Sequence, residues 1–455
     1  MKRLTRRSFL VASAAMASGG ALAAPRQAPA PAPDTRPANA EVIIIGAGAA
    51  GIAAARRLAA AGKRCVLFEA SDAIGGRCIT DTRTFGVPYD RGAHWIYAAD
   101  VNPLAKLALQ NGVEIYPAPP GQRMRIGRRY AREGEMEDFL ASLVRANTAI
   151  ADAARKGDVA CDRVLPKDLG EWRPTVEFVL GPYNCGKELA EVSTVDLARA
   201  GERDNNAFCR QGFGALLTKL AAGLPLQLAT PVTGIEYWSR QRLEVQTAKG
   251  TFRPVAVIVT ASTNVLAAGK IKFAPDLPKR LLDALGKLKL GSRDHIALEL
   301  TGNPLGLRAD ELAFEKTESK QTAAIFANVS GSTLCVIDVA GNFGRELSGK
   351  GEPAMIDFAI TWLTGLYGTD FKTIVKRRHA TRWDNEPWVM GATSVAAPGA
   401  QSARKIMQEP LSGRIFFAGE AAHEAHWGTV GGAWESGERA ADAVVKLLGG
   451  PSRRS

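Results

Sequence analysis

Alternating runs of apolar and polar positions predict a strand, a turn, a helix and a second strand that begin near residue 42. Residues 42–45 are rich in β-branched side chains and suit a short strand that is buried on both faces. Residues 49–61 are rich in alanine and favour a helix, and residues 65–68 form the next apolar strand. This order of elements predicts the α/β fold class.

The later part of the chain predicts a mostly helical region, then two groups of strands and a final helix. The predicted helices comprise residues 102–111, 135–156, 215–222 and 354–367, and one that begins near residue 430. The predicted strands comprise residues 226–229, 232–238, 242–247, 251–253, 255–260, 295–300, 323–329 and 333–339. The last three strands are expected to pair as an antiparallel sheet. Residues 162–203 are expected to be irregular, because prolines interrupt their helical pattern.

A glycine-rich turn after the first strand predicts dinucleotide binding. Its GxGxxG pattern consists of Gly46, Gly48 and Gly51. Glycines at these positions allow a tight turn, the close approach of a pyrophosphate and close packing of helix on strand. The pyrophosphate would lie at the helix N-terminus, against Ala49 and Ala50. Glu69, followed by Ala70, ends the next strand about 20 residues later and is placed for a ribose hydroxyl. The pattern alone does not choose between NAD and FAD.

The next glycine pair makes that choice by resemblance. Gly75, Gly76 and Arg77 resemble the FAD-binding opening of the flavin amine oxidase family. An arginine beside two glycines also suits a diphosphate, since it offers a bidentate cation and an unobstructed backbone. The resemblance extends over most of the chain after residue 40. It implies a Rossmann-like FAD-binding domain of the glutathione-reductase type, interleaved with a substrate domain of mixed sheet and helices (α+β).

The resemblance also implies domain boundaries and contacts to FAD. The FAD-binding domain is expected at residues 40–97, 204–290 and 382–455, and the substrate-binding domain at residues 98–203 and 291–381. Further residues expected at the cofactor are Gly92, Ala93, His94, Trp95, Val232, Ala261, Trp383, Gly419, Glu420, Thr429 and Val430. Ala392 stands where monoamine oxidases carry a flavin-linking cysteine, so FAD is expected to bind non-covalently. A helix beginning near Val430 would stabilise negative charge on the reduced flavin.

The implied reaction is the oxidation of a C–H bond next to an amine nitrogen. Hydride would pass to FAD, water would hydrolyse the resulting imine, and dioxygen or a cytochrome or quinone would accept the electrons. Two other interpretations remain open. One is a dehydrogenase or desaturase of the same fold that acts on a non-amine substrate, and the other is a catalytically silent FAD-binding protein.

Two departures from the family pattern keep those alternatives open. His295 stands where many members carry a lysine that holds a water against the flavin, and Thr393 and Thr429 stand where two aromatic side chains often form a cage. Candidates for replacing the cage are Tyr97, Trp388, Trp427 and Trp434. His295 and His94 are the candidate catalytic residues, since histidine exchanges protons near neutral pH. His423 and His426 resemble half of a metal site, but no third ligand is evident, and no metal is predicted.

Composition narrows the class of protein. The 455 residues are 46% hydrophobic, which excludes a disordered chain. The formal net charge is +12, but no stripe of basic residues with interleaved aromatics suggests nucleic-acid binding. None of the six cysteines forms a CxxC motif. A disulfide among Cys161, Cys185 and Cys209 is allowed but unassigned.

The N-terminus predicts export. Residues 1–23 have a basic start, a short apolar stretch and a small-residue cleavage site, and Arg6-Arg7 resembles a twin-arginine signal. Residues 24–39 are rich in proline and alanine and predict a tether. The expected location is the periplasm, reached through the twin-arginine export machinery. No stretch is long and apolar enough to predict a stable membrane span.

Overall fold

The computed structural model describes residues 39–200, 205–238 and 243–449. The predicted signal peptide lies outside the described residues, as does the predicted tether except for its last residue. The described residues all belong to one unit, Asp34–Ser455. The division into FAD-binding and substrate-binding domains therefore stays a prediction. Among the described residues, no helix has both the length and the apolar character that crossing a bilayer requires.

The strands are β1 (Val42–Ile45), β2 (Cys65–Phe68), β3 (Thr80–Asp81), β4 (Tyr89–Asp90), β5 (Ile115–Pro117), β6 (Arg123–Ile126), β7 (Arg129–Tyr130), β8 (Ala207–Cys209), β9 (Leu226–Gln227), β10 (Val232–Glu236), β11 (Glu244–Thr247), β12 (Gly250–Phe252), β13 (Ala256–Val259), β14 (Lys272–Ala274), β15 (Arg293–Leu300), β16 (Glu311–Glu315), β17 (Ala324–Ala327), β18 (Leu334–Ala340), β19 (Val375–Ala380) and β20 (Ile415–Phe417).

The α-helices are α1 (Ala49–Ala60), α2 (Pro103–Gln110), α3 (Glu133–Lys156), α4 (Arg173–Phe178), α5 (Thr194–Ala198), α6 (Phe213–Ala221), α7 (Thr263–Ala267), α8 (Lys279–Lys287), α9 (Gly341–Gly349), α10 (Glu352–Tyr367), α11 (Phe371–Ile374), α12 (Ala403–Ile406) and α13 (Val430–Leu447). A π-helical turn, Val179–Tyr183, continues α4.

The first predicted strand is the centre of a parallel sheet. The sheet has the strand order β20-β13-β1-β2-β9, and all four residues of β1 are buried. Both neighbours of β1 run parallel to it, with Ile44 beside Leu67 on one side and Ile258 on the other. Because both faces of the sheet are covered, these strands are short continuous apolar runs. The α/β fold class predicted from the sequence is confirmed.

A second, seven-stranded sheet has the order β19-β15-β18-β17-β16-β6-β7. The strands predicted near residues 295, 323 and 333 are β15, β17 and β18, and they pair antiparallel as expected. The sheet is larger and more mixed than predicted, because β6 joins β16 in parallel. The edge strand β19 was not predicted, because its central residues are polar and exposed.

The cysteines are thiols in this fold. All six lie in the described residues, and each is buried and forms no disulfide. Burial raises the pKa of Cys65 to about 12, so its thiol stays neutral. The disulfide that the sequence allowed among Cys161, Cys185 and Cys209 does not form.

Candidate cofactor and substrate site

The glycine turn has the geometry of a pyrophosphate cradle. Gly46 adopts a φ of +103°, which a residue with a side chain rarely tolerates. A Cβ on Gly51 would lie 1.9 Å from the carbonyl oxygen of Gly46, so only glycine lets α1 pack this closely on β1. Gly48 precedes α1, and no side chain in the described part of the chain caps that helix end. The N–H groups of the first turn therefore remain available to an anion.

Arg77 connects this cradle to Glu420, in the C-terminal segment that the sequence predicts to bind the cofactor. Its guanidinium donates to a Glu420 carboxylate oxygen at 2.8 Å and to the carbonyl of Ala392. Glu420 also accepts from the Ser394 hydroxyl at 2.6 Å and from the Gly428 N–H at 3.0 Å. Burial alone would raise the pKa of Glu420, but Arg77 and the other donors outweigh it and hold the pKa below its ordinary value.

Glu69 is held by the glycine turn itself. One carboxylate oxygen accepts from the Ala47 N–H at 2.7 Å, and the other accepts from the N–H and the hydroxyl of Ser71 at 2.9 Å. The side chain is buried at the end of β2. A carboxylate has about four acceptor sites, so Glu69 retains acceptor capacity for a ribose hydroxyl.

A cavity of about 440 Å³ runs from this cradle to the seven-stranded sheet. The predicted cofactor residues that line it are Gly46, Gly48, Ala49, Ala50, Glu69, Ala70, Gly75, Gly76, Arg77, Gly92, Ala93, His94, Trp95, Val232, Ala261, Trp383, Gly419, Glu420, Thr429 and Val430. Gly51 is absent from the lining, because it faces β1. Three separate stretches of sequence thus meet at one cavity.

The N-terminus of α13 also faces the cavity. Thr429 caps this helix by accepting from the Gly432 N–H at 2.9 Å, and Thr429, Val430 and Ala433 line the cavity wall. Close packing sets the position of α13, since a Cβ on Gly437 would lie 2.0 Å from the Ala50 carbonyl oxygen of α1. The positive ends of two helix dipoles therefore point at the same cavity.

Trp383 packs against the turn at Gly92. A Cβ on Gly92 would lie 3.0 Å from the Trp383 ring, and the indole N–H donates to the Arg91 carbonyl at 3.1 Å. The Trp383 backbone N–H donates to Asp294 at 2.8 Å. Burial raises the pKa of Asp294 to about 6. The Trp383 ring is thus held in one orientation at the cavity wall.

Toward the seven-stranded sheet, the cavity is lined by aromatic side chains and two histidines, and this part is called the chamber below. Trp95, Tyr97 and Phe326 line it, together with Tyr89. The rings of Trp95 and Phe326 lie 5.7 Å apart, and those of Trp95 and Tyr97 stack at 6.4 Å. Such a wall favours apolar parts of a ligand.

The candidate cage residues divide into two groups. Tyr97, Trp388 and Thr393 line the cavity, and Trp388 is 40% exposed. Trp427 does not line it: its side chain is fully buried, and its indole N–H donates to the Asp196 carbonyl at 3.1 Å. Trp434 is also buried and donates to Glu438 at 3.0 Å. The sequence alone could not separate these tryptophans.

The two candidate catalytic histidines each lie beside an aspartate. Nε2 of His295 is 3.3 Å from Asp338, which the sequence analysis missed, and Nδ1 of His94 is 3.2 Å from Asp90. Burial lowers the pKa of His295, and Asp338 partly opposes that effect. Asp90 is fixed by the N-terminus of α6, where it accepts from the Phe213 N–H at 2.9 Å. Asp338 itself pairs with Arg293 at 2.6 Å.

The other histidine pair lies apart from this cavity and is joined by Glu435. Both ring nitrogens nearest to Glu435 point at one carboxylate oxygen, at 2.8 Å for His423 and 3.3 Å for His426. The three side chains are close enough for a metal. However, Nδ1 of His423 accepts from the N–H groups of Ala425 and His426, which places its proton on Nε2, the atom a metal would need. The cluster is therefore a hydrogen-bonded group.

The chain is similar to several known proteins. A profile described as "Flavin containing amine oxidoreductase" matches residues 49–445. Human lysine-specific histone demethylase 2 is 28% identical over 448 residues, which cover 90% of this chain and 53% of that protein. The probable polyamine oxidase 4 of Arabidopsis thaliana is 26% identical over 454 residues, covering 90% of this chain and 87% of that protein. The chain spans only about half the length of the histone demethylase relatives.

Two solved structures have the same fold. Cyclohexylamine oxidase from Brevibacterium oxydans IH-35A superposes with a TM-score of 0.74 at 19% identity, over 90% of this chain and 99% of that chain. A putrescine oxidase bound to putrescine gives a TM-score of 0.76, also at 19% identity and with the same coverage.

A flavin-containing family implies FAD, and the residues of the cradle fit this cofactor. Glycines stand where a Cβ would clash, and a carboxylate ends β2. An arginine and the uncapped N–H groups of α1 provide donors for a diphosphate. The profile match covers most of the chain. This protein therefore belongs to the family of flavin-containing amine oxidoreductases and is an oxidoreductase of the flavin amine oxidase type.

Proposed function

We propose that the protein oxidises a primary or secondary amine, including polyamines or alkaloid-like amines, with non-covalently bound FAD as the hydride acceptor. The observation that carries this proposal is the single cavity that joins the glycine cradle to an aromatic chamber containing His295 and His94. The polyamine oxidase among the relatives and the putrescine-bound structure support an amine as the substrate class.

The chain's own residues would bind and orient both partners. The cradle and Arg77 would hold the diphosphate, and Trp383 would hold the face of the ring system. FAD, when bound, supplies the acceptor for the hydride that leaves the carbon next to the amine nitrogen. The aromatic wall formed by Trp95, Tyr97 and Phe326 would exclude water and favour the neutral amine, whose lone pair is needed for hydride loss. Water would then hydrolyse the imine product to a carbonyl compound.

Non-covalent attachment is proposed from Ala392, which has no side-chain nucleophile. Its carbonyl accepts from Arg77, so the residue lies beside the cradle. Denaturing the protein in acid or urea should release all of the yellow flavin into a filtrate. Flavin that stays with the precipitated chain would contradict this part of the proposal.

The test of the reaction is anaerobic. The purified yellow protein is mixed with putrescine, spermidine, benzylamine, cyclohexylamine and L-amino acids in turn, while the flavin absorbance is followed. We expect rapid bleaching by one class of amine, and admitting air then shows whether dioxygen takes the electrons. If no amine bleaches a flavin that dithionite reduces normally, the amine proposal fails, and a non-amine dehydrogenase or a silent FAD-binding protein remains.

That test uses a matched variant. Trp388 lies at the cavity wall and is partly exposed, whereas Trp238 is 65% exposed and outside the cavity lining. Trp388→Ala should change the rate or the amine preference of flavin reduction, and Trp238→Ala should leave both unchanged. Equal effects of the two substitutions would show that the cavity around Trp388 does not receive the substrate.

We also propose export to the periplasm by the twin-arginine route, with dioxygen or a periplasmic cytochrome or quinone as electron acceptor. The Arg6-Arg7 pair and the apolar stretch after it support this proposal. Replacing both arginines by lysine should leave the flavoprotein in the cytoplasmic fraction. An unchanged periplasmic yield from that double variant would contradict the route.

A further inference from the structure

Asp338 contacts a charged side chain, Arg293, and a titratable one, His295, on the wall of the candidate substrate chamber. Strands β15 and β18 pair antiparallel, with His295 directly opposite Asp338. Arg293 is two residues from His295, so both side chains leave the same face of the strand. The carboxylate of Asp338 is 2.6 Å from Arg293 through Oδ2 and 3.3 Å from Nε2 of His295 through Oδ1. All three residues line the cavity.

The carboxylate is not fully satisfied by this arrangement. Asp338 is 4% exposed, and its Oδ1 has no well-formed hydrogen bond among the described residues. A structural ion pair normally has donors on both oxygens, because an unpaired buried acceptor costs free energy. His295 offers the nearest donor to Oδ1, and it would become a strong one on gaining a proton. The arrangement is therefore better satisfied when His295 is protonated.

Arg293 disfavours a protonated His295, because its own positive charge lies nearby. Its guanidinium donates to the Tyr183 carbonyl at 3.0 Å and lies over the Tyr183 ring at 4.4 Å, which fixes the charge near His295. The charged and titratable groups that act on the His295 imidazole are Asp338 from β18, Arg293 from its own strand, and His94 from the segment after β4. The backbone carbonyl of Asp90 also favours the protonated ring. The hydroxyl of Thr381, which follows β19, accepts a hydrogen bond from the His295 backbone N–H at 2.9 Å.

We propose that Asp338 is a positioning residue that acts with Arg293 to set the charge of His295, so that the imidazole accepts a proton from the substrate's ammonium group. This inference rests on the proposed amine oxidation. An amine enters from water mostly as the ammonium ion, which cannot release hydride from its carbon until nitrogen has a free lone pair. In the step, one N–H bond of the ammonium breaks and one N–H bond forms on the ring. No electron is transferred, and positive charge moves from substrate to His295 beside Asp338.

Asp338 and Arg293 change the pKa of His295 in opposite directions, and this difference can be tested. Asp338 raises the pKa of His295, and Arg293 lowers it. The rate of anaerobic flavin reduction at saturating amine should rise with pH as His295 loses its proton. In Asp338→Asn this acid limb should move to lower pH by about 1 unit, and in Arg293→Gln it should move to higher pH by about 1 unit, the size expected of a charged neighbour. Because the same amine is used throughout, its own titration is common to all variants.

Matched variants separate this role from a structural one. Asp338→Glu and Arg293→Lys keep the charges and should leave the limb within a few tenths of a pH unit of the parent. Glu315 is a half-buried carboxylate on β16 of the same sheet that accepts hydrogen bonds from Thr322 and Trp362, so Glu315→Gln should leave the limb unchanged. If Asp338→Asn does not fold, Arg293→Gln alone still tests the sign. Limbs that stay fixed, or that move in the same direction in both variants, overturn the proposal.

A second readout needs no substrate. The protein has five histidines, so selectively labelled histidine gives few NMR signals, and the one lost in His295→Gln belongs to His295. Its titration midpoint should shift downward in Asp338→Asn and upward in Arg293→Gln. Shifts in the midpoint without shifts in the kinetic limb would overturn the proton-accepting role. A flavin that no amine reduces at any pH would instead refute the proposed function.

Discussion

Replacing Arg404 by methionine should destabilise the protein by about 3–5 kcal/mol, the cost typical of breaking a buried ion pair. Arg404 and Asp196 are fully buried and form a two-point ion pair, with N–O distances of 2.6 and 2.7 Å. The guanidinium also donates to the Ser394 hydroxyl and carbonyl and to the Ala421 carbonyl. Methionine fills much of the same space, but it leaves the Asp196 carboxylate with the Ala396 N–H as a remaining donor, at 2.8 Å.

The size of this loss depends on burial, so an exposed pair provides the control. Arg280 and Glu409 also form a two-point contact, at 2.6 and 2.9 Å, but their side chains are 64% and 50% exposed. Arg280→Met should therefore cost less than about 1 kcal/mol. The double variant Asp196→Leu with Arg404→Met removes both charges, so it should recover most of the stability that the single variant loses.

Urea unfolding of the holoprotein followed by tryptophan fluorescence measures these differences. All variants are compared at one excess concentration of free FAD, because bound cofactor adds to apparent stability. Equal slopes of unfolding free energy against urea are needed before the values are compared. The reasoning is refuted if Arg404→Met loses no more stability than Arg280→Met, or if the double variant is less stable than Arg404→Met.

Two further predictions concern the cradle. Gly51→Ala should abolish tight FAD binding, because its Cβ would lie 1.9 Å from the Gly46 carbonyl oxygen. In the control Gly286→Ala in α8, the new Cβ meets nothing within 4 Å, so this variant should stabilise the protein by about 0.5–1 kcal/mol. Flavin content and melting temperature are measured for both variants. Glu420 has a depressed pKa, so its contribution to stability is present above its ordinary value of 4.5 and is lost as the pH falls through the folded-state pKa; in Glu420→Gln this acid-dependent part of the unfolding free energy should vanish. A Gln variant with the parent's acid slope would contradict it.

The local parts of the fold could be predicted from neighbouring residues. The glycine turn depends on positions within a few residues of each other, so the GxGxxG spacing already implied the φ of Gly46 and the contact between Gly51 and β1. Buried strands such as β1 and β13 are uninterrupted apolar runs and were found within one or two residues. The edge strand β19 and helix α9 were missed, because their exposed faces carry mostly polar side chains.

The sequence by itself determined the fold class, the cofactor cradle and the family, since each rests on short motifs with their own local geometry. It also named His295 as unusual. Only the tertiary structure decided which residues act on it, because Asp338 reaches His295 through the pairing of two strands that are far apart in sequence. The same holds for Arg404 and Asp196, which are 208 positions apart, and for Trp427, a core residue that no spacing distinguishes from a pocket residue. Contacts between distant segments follow from the packing of whole sheets and helices, and no local pattern encodes them.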